Sequence, residues 1–376
     1  MKAFLWACLS RVLWLGVACK LHALSPGKSK KKASLFRFFT MQAARTMNTL
    51  ELSLGCCNYD RTKAIFDGRV QMEGCTLIPL ALEPEEIFHR AFRGQEFDIC
   101  EMSLSSHTLN VARGTSNYVA VPAFLSRAFR HSGIYVRADS GIRTPADLKG
   151  KKVGIPEYQI TANVWIRGML RDEYGVQAQD IRWRRGGLEQ PGRRERSPIS
   201  LPEGIEVQQI PDDTTLARQL DSGELDAVFG AKAPSCFLNG SGRVVRLFPD
   251  YRQQEQDYFR KTRIFPTMHV VGIRKSLVDK HPWLPVSVFK GFIEAKKLAM
   301  EELAQVGHLA VTLPWSVAEL EATKKLMGED FWSYGLADNR HVLDTFTRYH
   351  HEQGISPRRV QAEELFYGPA LELAKN

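Results

Sequence analysis

The chain has 376 residues, of which 44% are hydrophobic and 25% are charged, so its composition is that of a globular protein long enough for two lobes. Its formal net charge of +9 arises within the first 46 residues, which contain nine Lys and Arg side chains and no acidic side chain. Because the remainder is balanced, the composition argues against a nucleic-acid-binding protein, which would gather Lys and Arg on an ordered surface.

Segment 1–46 contains an apolar stretch that Arg11 interrupts. The stretch is short for a membrane-spanning helix and irregular for the hydrophobic part of a signal peptide, so no stable membrane association is expected. Two interpretations remain open, an export signal and a start codon assigned too early. We favour a true start at Met47, because alternating apolar residues typical of a strand follow it at once.

The seven cysteines form an odd set, and none has the C-x-x-C spacing of a zinc or redox site. We therefore predict free thiols, which persist in a reducing compartment. Together with the favoured start, this indicates a cytoplasmic protein, with export as the alternative.

From Met47 onward, short apolar runs alternate with helical stretches, which is the pattern of βαβ units around mostly parallel sheets. Strands are predicted at 50–54, 76–80, 98–102 and 119–124. Helices are predicted between them at 62–66, 85–92 and 105–112. These elements would build the first part of lobe 1, for which we predict the boundaries 47–135.

A further strand at 131–136 precedes the sequence TPADLKGKKVGIP, and a helix is predicted at Thr161–Tyr174. This order resembles type II periplasmic binding proteins at the point where their chain crosses into the second lobe. Lobe 2, with predicted boundaries 136–264, would continue beyond this helix. Its remaining elements are predicted as strands at 207–210 and 227–229 and a helix at 214–220.

Residues 182–204 are rich in Gly, Pro and Arg and lack apolar periodicity, so we predict a long surface loop. Its arginines are interpreted as solvated side chains in preference to a lid that faces a ligand.

The strand HVVGIR within residues 263–274 is interpreted as the return crossing to lobe 1. Helical patterns at 284–304, 317–327 and 341–350 would complete that lobe, whose second part is predicted to span 265–376. Two crossings predict a hinged cleft. The expected fold class is therefore α/β, in the form of a two-lobed clamp with a double-crossover hinge.

The sequence contains no P-loop, GxSxG, HExxH or Rossmann GxGxxG motif, which removes support for nucleotide-binding, serine-hydrolase and zinc-protease functions. The candidate functional residues are instead polar side chains that follow the carboxyl ends of predicted strands, where α/β sheets bind ligands.

Five candidates follow two strands of lobe 1. Tyr59 and Arg61 lie at the start of a helix, where N–H groups and a guanidinium can hold an anion; a helix cap is the alternative. Ser103 and Ser105 open the next helix, and their hydroxyls suit either a carboxylate or a cap. Glu101 ends a buried strand, where a carboxylate costs free energy unless it is paired or used.

The two predicted crossings carry basic residues. Arg127 and Arg130 can grip a dicarboxylate bidentately while His131 transfers a proton. His269 lies at the return crossing, opposite His131 across the predicted cleft. For each histidine, the alternative is a structural side chain in the core.

Three candidates follow the strand Lys152–Ile155 of lobe 2: Glu157, Tyr158 and Thr161. Thr161 can donate to an anion where its helix begins, or it can simply cap that helix.

Seven phrases resemble the 4,5-dihydroxyphthalate decarboxylase family: YDRTKAIFDGRV, FDICEMSLSSH, RAFRHSGIYVR, GIPEYQITANVWIRGML, IRWRRGGLEQPGRRER, RIFPTMHVVGIR and DFWSYGLADNR. The resemblance extends over residues 47–373. It implies non-oxidative decarboxylation of 4,5-dihydroxyphthalate to protocatechuate in phthalate degradation, on a type II periplasmic-binding-protein-like fold. No cofactor is required in principle, and no ligand spacing argues for a divalent metal.

Under the implied reaction, an arginine would bind the retained carboxylate of a small aromatic dicarboxylate. The candidates for this role are Arg61, Arg127 and Arg130. The candidates for the acid and base roles are Glu101, His131 and His269. The alternative function is a solute-binding protein of an ABC-type transporter for an aromatic acid, which uses the same fold. The size of the chain favours a homo-oligomer.

Overall fold

A computed structural model describes residues 49–371, so the segment 1–46 and its two interpretations lie outside the described residues. The described strands are β1 (Leu50–Cys56), β2 (Cys75–Ala81), β3 (Ile99–Ser103), β4 (Tyr118–Arg127), β5 (Ile134–Arg137), β6 (Lys152–Ile155), β7 (Arg182–Arg185), β8 (Val207–Gln209), β9 (Ala227–Phe229), β10 (Val244–Arg246) and β11 (Thr267–Arg274).

The described α-helices are α1 (Asp60–Phe66), α2 (Pro84–His89), α3 (Leu104–Arg113), α4 (Thr161–Tyr174), α5 (Leu216–Ser222), α6 (Ser235–Leu238), α7 (Tyr251–Thr262), α8 (Lys275–Lys280), α9 (Leu284–Leu303), α10 (Ser316–Met327) and α11 (Arg340–Glu352). Local sequence sets several of their ends. Ser103 caps α3, and α3 stops at Gly114, whose φ of 68° suits a residue without a side chain.

The first sheet has the strand order β2-β1-β3-β11-β4. Strands β1 and β3 run parallel, whereas β11 runs antiparallel to both β3 and β4. The sheet interior is apolar, with Leu54, Ile99 and Val271 fully buried. The chain thus leaves this sheet after β4 and returns between β3 and β4 as β11.

The second sheet has the order β10-β5-β9-β6-β7-β8. Strands β6, β7, β8 and β9 are parallel, and β5 pairs antiparallel with both β9 and β10. A separate core packs on it, in which Leu216, Leu220 and Val228 are fully buried.

Two sheets joined by two chain crossings make the two-lobed α/β fold that the sequence pattern predicts. The described residues from Glu51 onward form one compact unit, so the predicted lobe boundaries at 135/136 and 264/265 stay predictions. No helix among residues 49–371 is long and apolar enough to cross a membrane. The five cysteines in this range are free thiols, as predicted from the sequence.

Several elements differ from the sequence prediction. Strand β7 occupies the start of the predicted loop 182–204, because its backbone pairs with β6 on one side and β8 on the other. Helix α7 was not predicted, since only Tyr258 and Phe259 of its twelve residues are buried and the apolar period is correspondingly weak. Strand β10 was missed because three residues are too short for a periodic pattern.

Helix α4 packs tightly against α11. A methyl group built on Gly168 would lie 2.0 Å from the ring of Tyr349. That ring is held in place because the Tyr349 hydroxyl donates to Asp172, at 2.7 Å. Only a residue without a side chain allows this approach.

We expect Gly168→Ala to lower the free energy of unfolding by about 1–3 kcal/mol, because the added methyl group forces Tyr349 out of a close-packed contact. Gly307→Ala is the matched control, since nothing lies within 4 Å of its Cβ position. Urea unfolding measures both variants. Equal unfolding midpoints for the two would contradict the tight packing of α4 on α11.

Candidate functional site

A cavity of about 240 Å³ lies between residues of the first sheet and residues of the second. Its polar lining from the first-sheet side consists of Glu85, Ser103, Ser106, Ser126 and His269. Its polar lining from the second-sheet side consists of Glu157, Gln159, Thr161, Arg193, Arg196 and Lys232. Arg130, on the connection between β4 and β5, completes the polar wall. The volume lies below the roughly 300–1,000 Å³ of pockets for drug-sized ligands, which suits a small molecule.

Strand pairing brings Glu101 and His269 together. In the register of β3 and β11, Glu101 lies opposite Val271, and Ser103 lies opposite His269. Glu101 and His269 are therefore diagonal neighbours on one face, within reach of long side chains. The result is a contact of 2.6 Å between His269 Nδ1 and Glu101 Oε1.

Glu101 is fully buried and accepts three hydrogen bonds. Besides His269 Nδ1, the Tyr59 hydroxyl donates to Oε1 at 2.8 Å, and the Cys57 N–H donates to Oε2 at 3.0 Å. Burial disfavours the charged carboxylate, but these hydrogen bonds outweigh burial and hold the pKa of Glu101 below its usual value. Glu101 is thus an anion at neutral pH, and it is the partner of His269.

The contact with Glu101 determines the tautomer of His269. An ionised carboxylate only accepts hydrogen bonds, so the proton of a neutral His269 ring must be on Nδ1. Nε2 then carries a lone pair, and no hydrogen bond within residues 49–371 uses it. The edge of the Phe88 ring packs against His269, with centroids 4.8 Å apart. The geometry is that of a histidine base oriented by a buried carboxylate.

Two helix N-termini meet at the cavity. The Ser103 hydroxyl lies 3.1 Å from the Thr161 hydroxyl, and the Ser105 N–H donates to Thr161 Oγ1 at 3.1 Å. Ser103 also accepts from the N–H of Ser106, so it caps α3 while lining the cavity. The cap and the ligand-facing interpretations of Ser103 are therefore compatible. Thr161 lines the cavity but does not cap α4, whose N-cap is Ile160. The two helix dipoles favour an anion here.

Arg130 lines the cavity without an ionic partner. Its guanidinium takes part in no hydrogen bond or salt bridge within residues 49–371, and its Nε is buried without a partner. Burial lowers the pKa of Arg130 to about 10, and Glu255 opposes this shift only in part. A buried guanidinium that no carboxylate contacts directly is costly, so the residue is suited to bind an anion.

The predicted loop 182–204 contributes two arginines to the cavity. Arg193 Nε and Nη2 donate to Glu157 Oε1, at 2.9 and 2.7 Å, and its Nη1 donates to Glu85 Oε2 at 2.8 Å. Arg196 lies beside them, with 14% of its side chain exposed. The interpretation of these two arginines as solvated surface side chains was wrong, because the loop folds back over the end of β6.

Arg61 and Arg127 were predicted to bind substrate, but neither lines the cavity. Arg61 is stacked between the rings of Tyr59 and Trp332 and donates to the carbonyl of Leu125, at 2.6 Å. Arg127 donates to the carbonyls of Phe265 and Ser333 and to the Asn339 side chain. Both guanidinium groups therefore support the backbone behind the cavity.

His131 was predicted to be catalytic, but it lies outside the cavity lining. Its ring packs edge-on against Phe248 and Tyr258, both with centroids at 5.2 Å, and neither ring nitrogen has a hydrogen-bond partner. Burial lowers the pKa of His131 to about 4. Its placement therefore favours the alternative of a structural, neutral side chain.

We expect His131→Phe to reduce the loss of stability that occurs on acidification. The unfolded chain takes up the His131 proton near pH 6.5, whereas the folded protein resists it down to about pH 4, so stability falls as pH drops through this window. Between pH 7 and pH 5, the free energy of unfolding should fall by about 2 kcal/mol less in the variant than in the wild-type protein. Urea unfolding at both pH values measures this difference. An equal loss in both proteins would contradict the burial of neutral His131.

The other predicted site residues have three different placements. Glu157, Ser103 and Thr161 line the cavity, whereas Tyr59 does not line it and donates a hydrogen bond to Glu101. Ser105 and Tyr158 are buried away from the cavity. The Ser105 hydroxyl contacts His350 Nε2 at 2.9 Å, and the Tyr158 ring lies under the guanidinium of Arg167, at 3.7 Å.

Sequence reasoning missed several lining residues, of which Arg193, Arg196, Lys232 and Glu85 are charged. The density of arginine in WRRGGLEQPGRRER was a usable signal for the first two, because solvated loops rarely need so many guanidinium groups. Nothing in the local sequence marks Lys232 or Glu85. Among residues 49–371, no three His, Cys, Asp or Glu side chains come together as metal ligands.

The fold has counterparts among proteins of known structure. Residues 109–187 match the protein family described as NMT1/THI5 like. A periplasmic sulfonate-binding protein, SsuA, from Methylobacillus flagellatus KT superposes with a TM-score of 0.50 at 13% sequence identity, over 87% of this chain and 94% of that chain. At this identity the likeness concerns the fold alone, and it confirms the predicted periplasmic-binding-protein-like clamp.

Relatives of known function are much more similar in sequence. A 4,5-dihydroxyphthalate decarboxylase from Comamonas testosteroni is 48% identical over 329 residues, which is 88% of this chain and 100% of the relative. A protein of the same name from Pseudomonas putida is 50% identical over 57% of this chain and 83% of its own length. These identities confirm the resemblance found in the sequence phrases. The chain belongs to the 4,5-dihydroxyphthalate decarboxylase family.

Proposed function

We propose that this protein removes one carboxylate from 4,5-dihydroxyphthalate and releases protocatechuate and carbon dioxide. The observation that carries the proposal is the 2.6 Å contact of His269 with buried Glu101, on the wall of a cavity that also contains the unpaired guanidinium of Arg130. Family membership supplies the substrate. The alternative of a solute-binding protein is not favoured, because both relatives carry the name of an enzyme.

The substrate itself provides the path for electrons. Each of its two carboxylates has a hydroxyl para to it on the ring. When a base removes that hydroxyl proton, the electron pair moves through the ring to the carbon that bears the carboxylate. This carbon accepts a proton that is supplied from the solvent. The bond to the carboxylate then breaks, carbon dioxide leaves, and the returning electron pair restores the aromatic ring. The oxygen regains its proton, so each turnover consumes one proton in total.

His269 suits the role of the base that takes the phenolic proton. Its Nε2 lone pair is free, and the imidazolium that forms keeps its Nδ1–H bond to the Glu101 anion. Because Glu101 is buried at 0% exposure, its charge is little screened and stabilises that imidazolium strongly. Tyr59 and Cys57 hold Glu101 in place through their hydrogen bonds.

Arg130 is the candidate for binding the retained carboxylate. Of the three arginines considered from the sequence, it is the one that lines the cavity, and its guanidinium has no competing acidic partner there. Bidentate pairing with a carboxylate would compensate its burial. Since the two carboxylates of the free substrate are equivalent by symmetry, the orientation that Arg130 imposes decides which of them leaves.

Three further expectations belong to this proposal. A cytoplasmic location suits an enzyme whose described cysteines are free thiols. The electron path above requires no cofactor, and a homo-oligomer is the assembly we expect. Cell fractionation, metal analysis of the purified protein and light scattering test these expectations in turn.

The test is incubation of the purified full chain with 4,5-dihydroxyphthalate, with and without a metal chelator. We expect protocatechuate and carbon dioxide in equal amounts, at a rate that the chelator does not change. A rate abolished by the chelator would contradict the metal-free route. Saturable binding without product would contradict the decarboxylase proposal.

A further inference from the structure

The cavity lining carries an excess of positive charge. Four cationic side chains line it, Arg130, Arg193, Arg196 and Lys232, against the two carboxylates of Glu85 and Glu157. Lys232 is 70% exposed and lies 3.8 Å from Glu83, so its charge is solvated and paired outside the cavity. The confined positive charges are those of the three arginines. Such charges are stable only when they are compensated, so a guanidinium that lacks a carboxylate partner is suited to an anionic group of a ligand.

The arginines differ in how far they are already compensated. Arg193 uses all three of its donor nitrogens on Glu157 and Glu85, at 2.7 to 2.9 Å. Its charge is therefore neutralised, and its hydrogen-bonding capacity towards a ligand is small. Arg193 and Glu157 act together as part of the wall.

Arg196 is not compensated in this way. Its guanidinium donates no hydrogen bond within residues 49–371, and its ionic contact with Glu157 is long, at 3.7 Å. Glu157 is moreover shared with Arg193, which is closer. Burial lowers the pKa of Arg196, and nearby carboxylates offset this only in part. Arg196 thus resembles Arg130, a second cavity guanidinium with spare donors.

The backbone around Arg196 is held firmly, although it lies in a loop. The Arg196 N–H donates to Glu157 Oε2 at 2.9 Å. The preceding residue, Glu195, accepts from the N–H groups of Tyr158 and Gln159, at 2.9 and 2.8 Å. These hydrogen bonds attach the loop to the segment between β6 and α4. The backbone position from which the Arg196 side chain extends is therefore fixed.

Arg196 and His269 share an aromatic neighbour in the cavity wall. The guanidinium carbon of Arg196 lies 5.5 Å from the centre of the Phe88 ring, and the same ring packs against His269 with centroids 4.8 Å apart. Phe88 lines the cavity together with both side chains, so Arg196 belongs to the same site as the acid–base pair.

We propose that Arg196 and Arg130 form a two-arginine subsite that binds both carboxylates of an aromatic dicarboxylate, and that Arg196 makes the cavity discriminate against monocarboxylates. The inference rests on the proposed function in placing substrate in this cavity, but the binding preference does not require turnover. The loop that carries Arg196 is then a specificity element of the site.

Calorimetric titration with phthalate and benzoate tests the subsite without relying on catalysis, because neither compound has the hydroxyl that the reaction needs. We expect wild-type protein to bind phthalate at least about tenfold more tightly than benzoate, from one additional charge-assisted pair. Arg196→Gln should lose this preference, with phthalate affinity falling about tenfold or more and benzoate affinity changing by less than about threefold.

The matched control is Arg194→Gln. Arg194 lies in the same loop, is 52% exposed and pairs with Asp212 outside the cavity, so its loss should leave both affinities unchanged. Arg196→Lys keeps the charge without the planar fork, and we expect it to retain part of the preference. Circular dichroism shows whether each variant is folded. If Arg196→Gln does not fold, Arg196→Lys provides the test. A preference for phthalate over benzoate that is undiminished in Arg196→Lys would then overturn the inference.

The inference and the proposed function can fail separately. Equal affinity of the wild-type protein for phthalate and benzoate, or an Arg196→Gln variant that retains the preference, overturns the two-arginine subsite even if 4,5-dihydroxyphthalate is decarboxylated. Tight and Arg196-dependent phthalate binding without any decarboxylation supports the subsite and contradicts the reaction.

Discussion

Replacing His269 with glutamine is expected to lower kcat for 4,5-dihydroxyphthalate by about 10²–10⁴-fold, with KM changed by less than about threefold. Glutamine can keep a hydrogen bond to Glu101 but cannot accept and hold a proton at neutral pH. The variant should therefore bind substrate and remain folded while losing the base. Initial rates over a range of substrate concentrations separate the two parameters.

The control for this variant is His131→Phe, which changes the other histidine predicted from the sequence. His131 lies outside the cavity lining and has no hydrogen-bond partner. We expect its kcat and KM to remain within about threefold of wild type. Full activity of His269→Gln, or a large loss in His131→Phe, would reverse the assignment of the base.

The second large effect is expected for Glu101→Gln, which should lower kcat by about 10²–10³-fold without a matching rise in KM. Glu101 does not touch the cavity, so it is a positioning residue that acts through His269. A neutral amide can present its N–H group to Nδ1 and so favour the wrong tautomer of the ring. It also removes the negative charge that stabilises the imidazolium.

The split between kcat and KM distinguishes this role from a merely structural one. In Glu101→Gln the imidazolium that forms during the reaction loses its anionic neighbour, so kcat should fall while KM stays close to that of the wild-type protein. Tyr59→Phe removes only one hydrogen bond to Glu101 and should lower kcat by about tenfold or less. A Glu101→Gln variant with reduced stability but an unchanged kcat would contradict the positioning role.

Much of the fold could be predicted because it depends on local periodicity. Apolar runs revealed nine of the eleven described strands, all except β7 and β10. The long apolar helical pattern near 284–304 corresponds to α9, which ends at Leu303. Elements that bury few residues were not predicted, and α7, in which only Tyr258 and Phe259 are buried, is an example. Periodicity reports which residues a segment buries, so it is silent where an element buries few.

The candidate site was only partly predictable. Glu101 stood out in the sequence because a carboxylate at the end of a buried strand must be paired or used, and its three hydrogen bonds bear out that argument. By contrast, Arg61, Arg127 and Arg130 were equivalent from their residue types. The carbonyl groups that Arg61 and Arg127 bind, those of Leu125 and Ser333, come from distant parts of the chain. Of the three arginines, only Arg130 lines the cavity.

The sequence by itself thus determined the α/β class, the family and part of the set of polar residues that line the site. The tertiary structure alone decided that His269 and not His131 contacts Glu101, and that Arg196 faces the cavity. The physical reason is distance along the chain. Glu101 and His269 are 168 residues apart and meet only because β3 and β11 pair in one register, and no local pattern records such a register.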